Sequence, residues 1–177
     1  MEGVGFQLGL NLADVSMNSS LSTSTTTGFA FGGTYDLVEF APDVAFVPGA
    51  RFIQRGFGFD VGMTEVDLKI SYLEFPMMFR ARFRGANVIP FAMGGPVLGL
   101  KLGTSCSVSG GSCTIYDDGQ VKAMHMGVEL GGGVLFPLEN GSHLLGSLRY
   151  HLGVTSVSSG LPDPRHRGLL IEAGYQF

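Results

Sequence analysis

Hydrophobic and polar residues alternate from the first positions of the chain. Val4, Phe6, Leu8, Leu10 and Leu12 share one parity and Gly5, Gln7, Gly9 and Asn11 the other, the two-residue period of a β-strand. The last segment repeats the pattern: Leu169, Ile171, Ala173, Tyr175 and Phe177 oppose Glu172, Gly174 and Gln176, with Leu170 alone out of phase. Six further strands are expected between these two, at about residues 28–39, 43–60, 65–84, 88–104, 120–137 and 142–157, and almost nothing has helical periodicity.

The joining segments differ in kind. Those near 14–27, 61–64, 105–119 and 158–165 include three long polar stretches, the first holding a Ser/Thr run from Ser19 to Thr27, whereas those near 40–42, 85–87 and 138–141 are short. Long loops therefore gather at one end and tight turns at the other, and an even strand number returns both termini to the tight-turn end. A soluble strand averages about 5–6 residues; these run to about 10 or more, close to the ~9–11 tilted residues that cross a bilayer. In lipid an unpaired backbone N–H or C=O costs several kcal/mol, so such strands have to close on themselves. The expected fold is all-β, an eight-stranded antiparallel up-and-down transmembrane barrel forming one domain over residues 1–177. Pro48, Pro76, Pro90 and Pro96 fall inside the strands and are expected at bulges or strand ends. Bulges are also expected where the apolar parity flips, from Val66, Leu68 and Ile70 to Leu73, Phe75, Met77 and Phe79, and again between Val97 and Leu98.

Charged residues keep to one parity. Arg51 opposes Val44, Phe46, Ala50 and Phe52; Glu74, Arg80 and Arg82 oppose the apolar series from Leu73 to Phe83. Lys101, His125, Glu129, Arg149, His151 and Glu172 likewise oppose Leu100, Met126, Val128, Leu148, Leu152 and Ile171. In a soluble barrel this parity would face water, in a membrane barrel the lumen, and periodicity alone does not choose. Three features favour the membrane arrangement. Phe6, Tyr35, Phe46, Phe83, Phe91, Phe136, Tyr175 and Phe177 would ring the tight-turn end of the apolar face as an interfacial girdle, though the chain has no Trp. Gly5, Gly9, Gly32, Gly49, Gly94, Gly131, Gly133, Gly153 and Gly174 share the charged parity, and small plus long side chains suit a narrow lumen. No charge interrupts the apolar parity, where an Arg at the bilayer midplane would cost about 2–4 kcal/mol. The lumen is then expected to hold an ion-pair network in which Glu74, Glu129 and Glu172 meet Arg51, Arg80, Arg149 and Lys101. Such a network reads as plug and scaffold, with a narrow proton or ion path as the alternative.

Composition narrows the classes further. With 45% hydrophobic residues, 15% charged and a mean hydropathy of +0.28, the chain is not disordered. Yet no run of ~18 apolar residues exists, so membrane helices are excluded. The 28 glycines lack a collagen period, and a net charge of -4 without a basic run gives no footprint for nucleic acid. Met1-Glu2-Gly3 does not open a signal peptide, which leaves a cytosolic chain or one whose targeting segment was removed.

The C-terminal alternation ending on Phe177, with Ile171 and Tyr175, resembles the signal by which Gram-negative outer-membrane barrels are handled by their insertion machinery. The stretches YLEFPMMFRARF (Tyr72–Phe83), IPFAMGGPVLGLKL (Ile89–Leu102) and LRYHLGVTSV (Leu148–Val157) resemble the fourth, fifth and seventh strands of the small porin-family outer membrane protein β-barrel domain proteins. These are OmpA-like, OmpX-like and PorT-like in architecture, and the likeness covers essentially the whole chain. The resemblance implies an integral protein of a Gram-negative outer membrane with periplasmic termini, in contact with outer-membrane lipid and lipopolysaccharide. It also implies assistance by the barrel assembly machinery, a monomeric state, no cofactor and, for most members, no assigned chemistry.

Candidate chemistry is sparse. Cys106 and Cys113, spaced C-x6-C in a Ser/Gly-rich loop, are expected to form a surface disulfide, with free thiols as the alternative. His125, His143, His151 and His166 are scattered without metal-ligand spacing, so no metal site is expected. Lipid A deacylases and palmitoyl transferases exist on barrels of this size, and His151 with Ser156 would have to fill that role; no acid partner has matching spacing, and no catalytic residue is assigned. A membrane anchor that displays loops, to which an extracellular ligand would bind, is the expected function. The alternatives are a small porin or narrow channel, a soluble lipocalin-like carrier, and a lipid A-modifying enzyme.

Overall fold

The computed structural model describes residues 3–16, 23–61, 64–83, 87–108, 111–112, 122–155 and 165–177. Its strands are β1 (Val4–Ser16), β2 (Thr23–Tyr35), β3 (Val38–Ala41), β4 (Val44–Val61), β5 (Thr64–Arg82), β6 (Ile89–Val108), β7 (Gly111–Ser112), β8 (Met124–Pro137), β9 (His143–Gly153) and β10 (Arg165–Gln176). The eight long strands pair antiparallel in one ring, β1 to β2, β4, β5, β6, β8, β9, β10 and back to β1, and the described residues contain no helix. Short β3 extends the edge of β4, and β7 adds two residues to β6.

The boundaries differ from expectation mainly at the long-loop end. The Thr-rich segment from Thr23 to Thr27 belongs to β2, because β-branched Thr fits a pleated strand as well as a loop. β4, β5 and β6 reach 18, 19 and 20 residues, well beyond the ~9–11 needed to cross a bilayer, so this part of the wall outgrows the membrane. At the other end the expected strand 28–39 is broken after Tyr35, where the Asp36 side chain turns into the barrel. The tight turns follow from their residues. Pro42 precedes Asp43, whose φ of 73° is the left-handed corner of a type II turn, and Gly141 takes φ 83° while its N–H bonds Leu138 O at 3.0 Å. Both termini lie at this end: Asp36 N donates to Gly3 O and Phe177 N to Val4 O.

Among the described residues side chains alternate in and out along the walls. In β8 and β9, His125, Glu129, Ser147, Arg149 and His151 are buried while Met126, Leu130, Leu148 and Tyr150 are exposed. From Ile70 onward the expected flip in β5 does not occur, nor does the one between Val97 and Leu98. Ile70, Tyr72 and Glu74 all point inward, as do Met93, Val97 and Gly99, so Ile70 and Val97 are lumen residues. A register shift does lie beside Ser71 and Tyr72, but the extra residue is Leu102 on β6. Of the prolines, Pro90 opens β6, Pro76 sits where the β4–β5 ladder is interrupted and Pro48 borders the same gap; Pro96 lies in an interruption between β5 and β6.

The lumen is partly apolar. Ala45, Val47, Met78, Phe91, Met93, Val97, Leu135 and Leu145 form a cluster filling its tight-turn half. Phe91, expected in the outer girdle, is 4% exposed and belongs to this plug, whereas Phe6, Tyr35, Phe83, Phe136 and Phe177 do face outward. An interior just wide enough for side chains can be dry, so an apolar residue on the inward parity is not misplaced.

Candidate functional site

Above the apolar plug, toward the long loops, β4, β5, β8, β9 and β10 bring Arg51, Arg55, Glu74, Glu129, Arg149 and Glu172 into one buried cluster. Glu74 accepts from Arg51 Nε at 2.9 Å and from Arg55 Nε at 2.7 Å. Arg51 also reaches across the barrel, its Nη1 donating to Glu129 Oε2 at 3.1 Å and its Nη2 to Glu129 Oε1. Arg149 lies 3.7 Å from Glu129, contacts Glu172, and donates from Nη2 to Gln7 Oε1 at 2.8 Å; Gln7 in turn donates to Thr34 at 3.1 Å. Two imidazoles complete the set. His125 Nε2 lies 3.1 Å from Glu74 Oε1, and His151 Nδ1 sits 3.0 Å from Arg55 Nη2 and 3.1 Å from Glu129 Oε1. Three guanidiniums thus face three carboxylates, the pairing that buried charge requires.

Room for these long side chains is made by glycine on the neighbouring strand. A Cβ on Gly131 would strike Leu148 O and Arg149, one on Gly32 would strike Arg51, and one on Gly99 would overlap the His125 ring. The alternation of Gly with charged residues on one parity is therefore a packing code for a narrow lumen.

Not every expected member joins. Arg80 sits apart near the tight turns, donating from Nη1 to Asp36 Oδ2 at 3.3 Å and Gln176 Oε1 at 3.1 Å, with its guanidinium carbon 5.2 Å from the Phe91 ring centre. Lys101 is half-buried on the inward parity of β6, in register with Tyr72. Arg55, absent from the expected network, is its most central cation on β4; it shares the parity of Arg51, which was the available signal. Asp36 offered the same signal, lying on the parity of Gly32 within the expected strand 28–39.

His151, the candidate for a rim catalyst, is buried in the lumen at 1% exposure, and Ser156 lies outside the described residues. Cys106 belongs to β6, but the expected bridge to Cys113 also lies outside the described residues. At the C-terminus, Ile171 and Phe177 face outward, and the Tyr175 hydroxyl accepts from Asn140 Nδ2 at 3.0 Å.

This geometry has relatives. Solved structures with the same fold include Neisserial surface protein A, at 16% identity over 98% of this chain and 95% of that one, with a TM-score of 0.54. The outer membrane protein OprG from Pseudomonas aeruginosa matches at 11% identity, 99% and 95% coverage and a TM-score of 0.53. The outer membrane enzyme PagL matches at 15%, 99% and 98%, and 0.50. No curated protein sequence matches the chain. The outer membrane protein β-barrel domain matches residues 2–159, and with eight antiparallel strands closed into a ring as described, the chain belongs to that family.

Proposed function

We propose that the protein is an outer-membrane anchor and scaffold, its lumen plugged and its long-loop end turned to the outside to present binding loops, with both termini in the periplasm. The observation that carries this reading is Arg51, which spans the lumen from β4 to bond both Glu74 on β5 and Glu129 on β8. The apolar cluster lies beneath it, and Ile53, Ile70, Tyr72 and Leu170 are fully buried on its other side. A hydrated pore needs neither arrangement. The sequences of the long-loop end, around residues 17–22, 109–123 and 154–164, are then where a partner or surface polymer would bind. Catalysis is no part of the proposal, since His151 is turned away from the lipid.

In planar bilayers the intact protein should give little or no steady conductance, and liposomes containing it should not swell in small sugars. Stable, solute-permeable channels would overturn the anchor reading in favour of a small porin.

A further inference from the structure

The outer wall of the barrel carries a groove of about 750 Å³ over β2, β1, β10 and β9 at the tight-turn end. One outward row in from Tyr35, Val4 and Phe177 at the tight-turn end, Gly33, Phe6, Tyr175 and Leu144 stand in register. In the next row Phe31, Leu8 and Ala173 follow, so large apolar side chains stand around a floor lowered at Gly33 and Ala173. The volume lies within the ~300–1,000 Å³ typical of small-molecule sites.

The glycine here differs from those of the lumen. A Cβ on Gly33 would come no closer than 3.4 Å to Gly5 O and 4.0 Å to the Phe6 ring, ordinary contact at a position with no positive φ. Packing within the protein leaves room for a side chain at 33, and its absence keeps the hollow open to an occupant from outside. The groove is continuous with the apolar band that a barrel of this family turns to lipid, and Leu8 within it is 70% exposed. No charged side chain lines it, which fits hydrocarbon rather than a headgroup. The Tyr175 hydroxyl at one end accepts from Asn140 of the tight turn, as interfacial tyrosines do, which would set the Leu8 end deeper in the hydrocarbon.

We propose that this groove is a binding site for one acyl chain of a glycerophospholipid from the leaflet at the tight-turn end. The identity of that leaflet as the periplasmic one rests on the orientation proposed above; the groove and its apolar occupant do not.

The test is native mass spectrometry of the folded protein released from micelles supplied with palmitoyl-oleoyl phosphatidylethanolamine or, separately, with lipopolysaccharide. The wild type should retain one phospholipid. The double variant Gly33→Leu/Ala173→Leu, which fills the floor without touching the lumen, should bind it about tenfold more weakly. Ala92→Leu, on an exposed position of β6 away from the groove, should bind like the wild type. Heat-modified gel mobility checks that each variant is folded, and if the double variant is not, Ala173→Leu alone is scored against Ala92→Leu. Equal retention by groove and control variants overturns the proposal, as does preferential retention of lipopolysaccharide or a dimer that displaces lipid. Conductance of the wild type would sink the anchor reading and leave this site standing.

Discussion

Replacing Glu74 by Ala should destabilise the folded barrel by about 3–5 kcal/mol, the usual consequence of stripping one partner from a buried ion pair. Glu74 is wholly buried and serves Arg51 at 2.6 Å and Arg55 at 2.7 Å, with His125 at 3.1 Å. Its loss leaves Arg51 and Arg55 to share Glu129 with Arg149 in the buried cluster. Urea unfolding in micelles, followed by circular dichroism and by heat-modified gel mobility, would register the change as a lower midpoint. Glu74→Gln, which keeps the volume and one acceptor oxygen, should lose less. The double variant Glu74→Leu/Arg55→Met removes one charge of each sign and should recover part of the loss, since a well-packed apolar pair can replace an ion pair at little cost. An unchanged midpoint for Glu74→Ala would mean that the lumen is wet enough to solvate the arginines, and the plug would have to be abandoned.

Gly131→Val should cost about 3 kcal/mol, by overpacking. The new Cβ falls on Leu148 O and within 2.7 Å of Arg149 Cα, both held by the β8–β9 ladder, so the clash cannot be relieved by rotating a flexible side chain. Gly103→Ala on β6 is the internal comparison, as a Cβ there meets nothing within 4 Å, and it should leave the unfolding midpoint unchanged. If the two behaved alike, steric crowding would not be what selects glycine at the lumen positions.

The strands, their antiparallel closure and the sidedness of the charges were legible because a two-residue period survives along each wall; Gly5 to Asn11 and Leu169 to Phe177 show it with almost no error. What periodicity cannot carry is the identity of a face where both faces are apolar. Phe91 suits an outer girdle and Val97 and Ile70 suit bulges on pattern alone, yet all three are buried in a lumen just wide enough for side chains. Strand ends were equally obscure, because Thr23–Thr27 suits loop and strand alike. Within the site, Arg55 was recoverable by counting four positions on from Arg51 and two from Ile53 on one face, whereas Arg80 shares the charged parity and still belongs elsewhere. Parity places a residue inside; it does not give its height along the axis, which depends on strand tilt and on the bulge at Leu102.

The composition of the charge cluster bears on how the barrel assembles. The hairpin of β4 and β5 contributes Arg51, Arg55 and Glu74, two cations and one anion; β8, β9 and β10 contribute Glu129, Arg149 and Glu172, one cation and two anions. Each half of the chain therefore carries an unbalanced charge of opposite sign on what will be its concave face. Pairing within a half leaves one residual charge, and neutrality arrives only when Arg51 meets Glu129 across 78 residues of sequence. The two half-sheets attract each other as they curl, and the attraction strengthens as water leaves the space between them. It also proofreads, because a strand paired one position out of register would turn its charge toward lipid and leave its partner stranded.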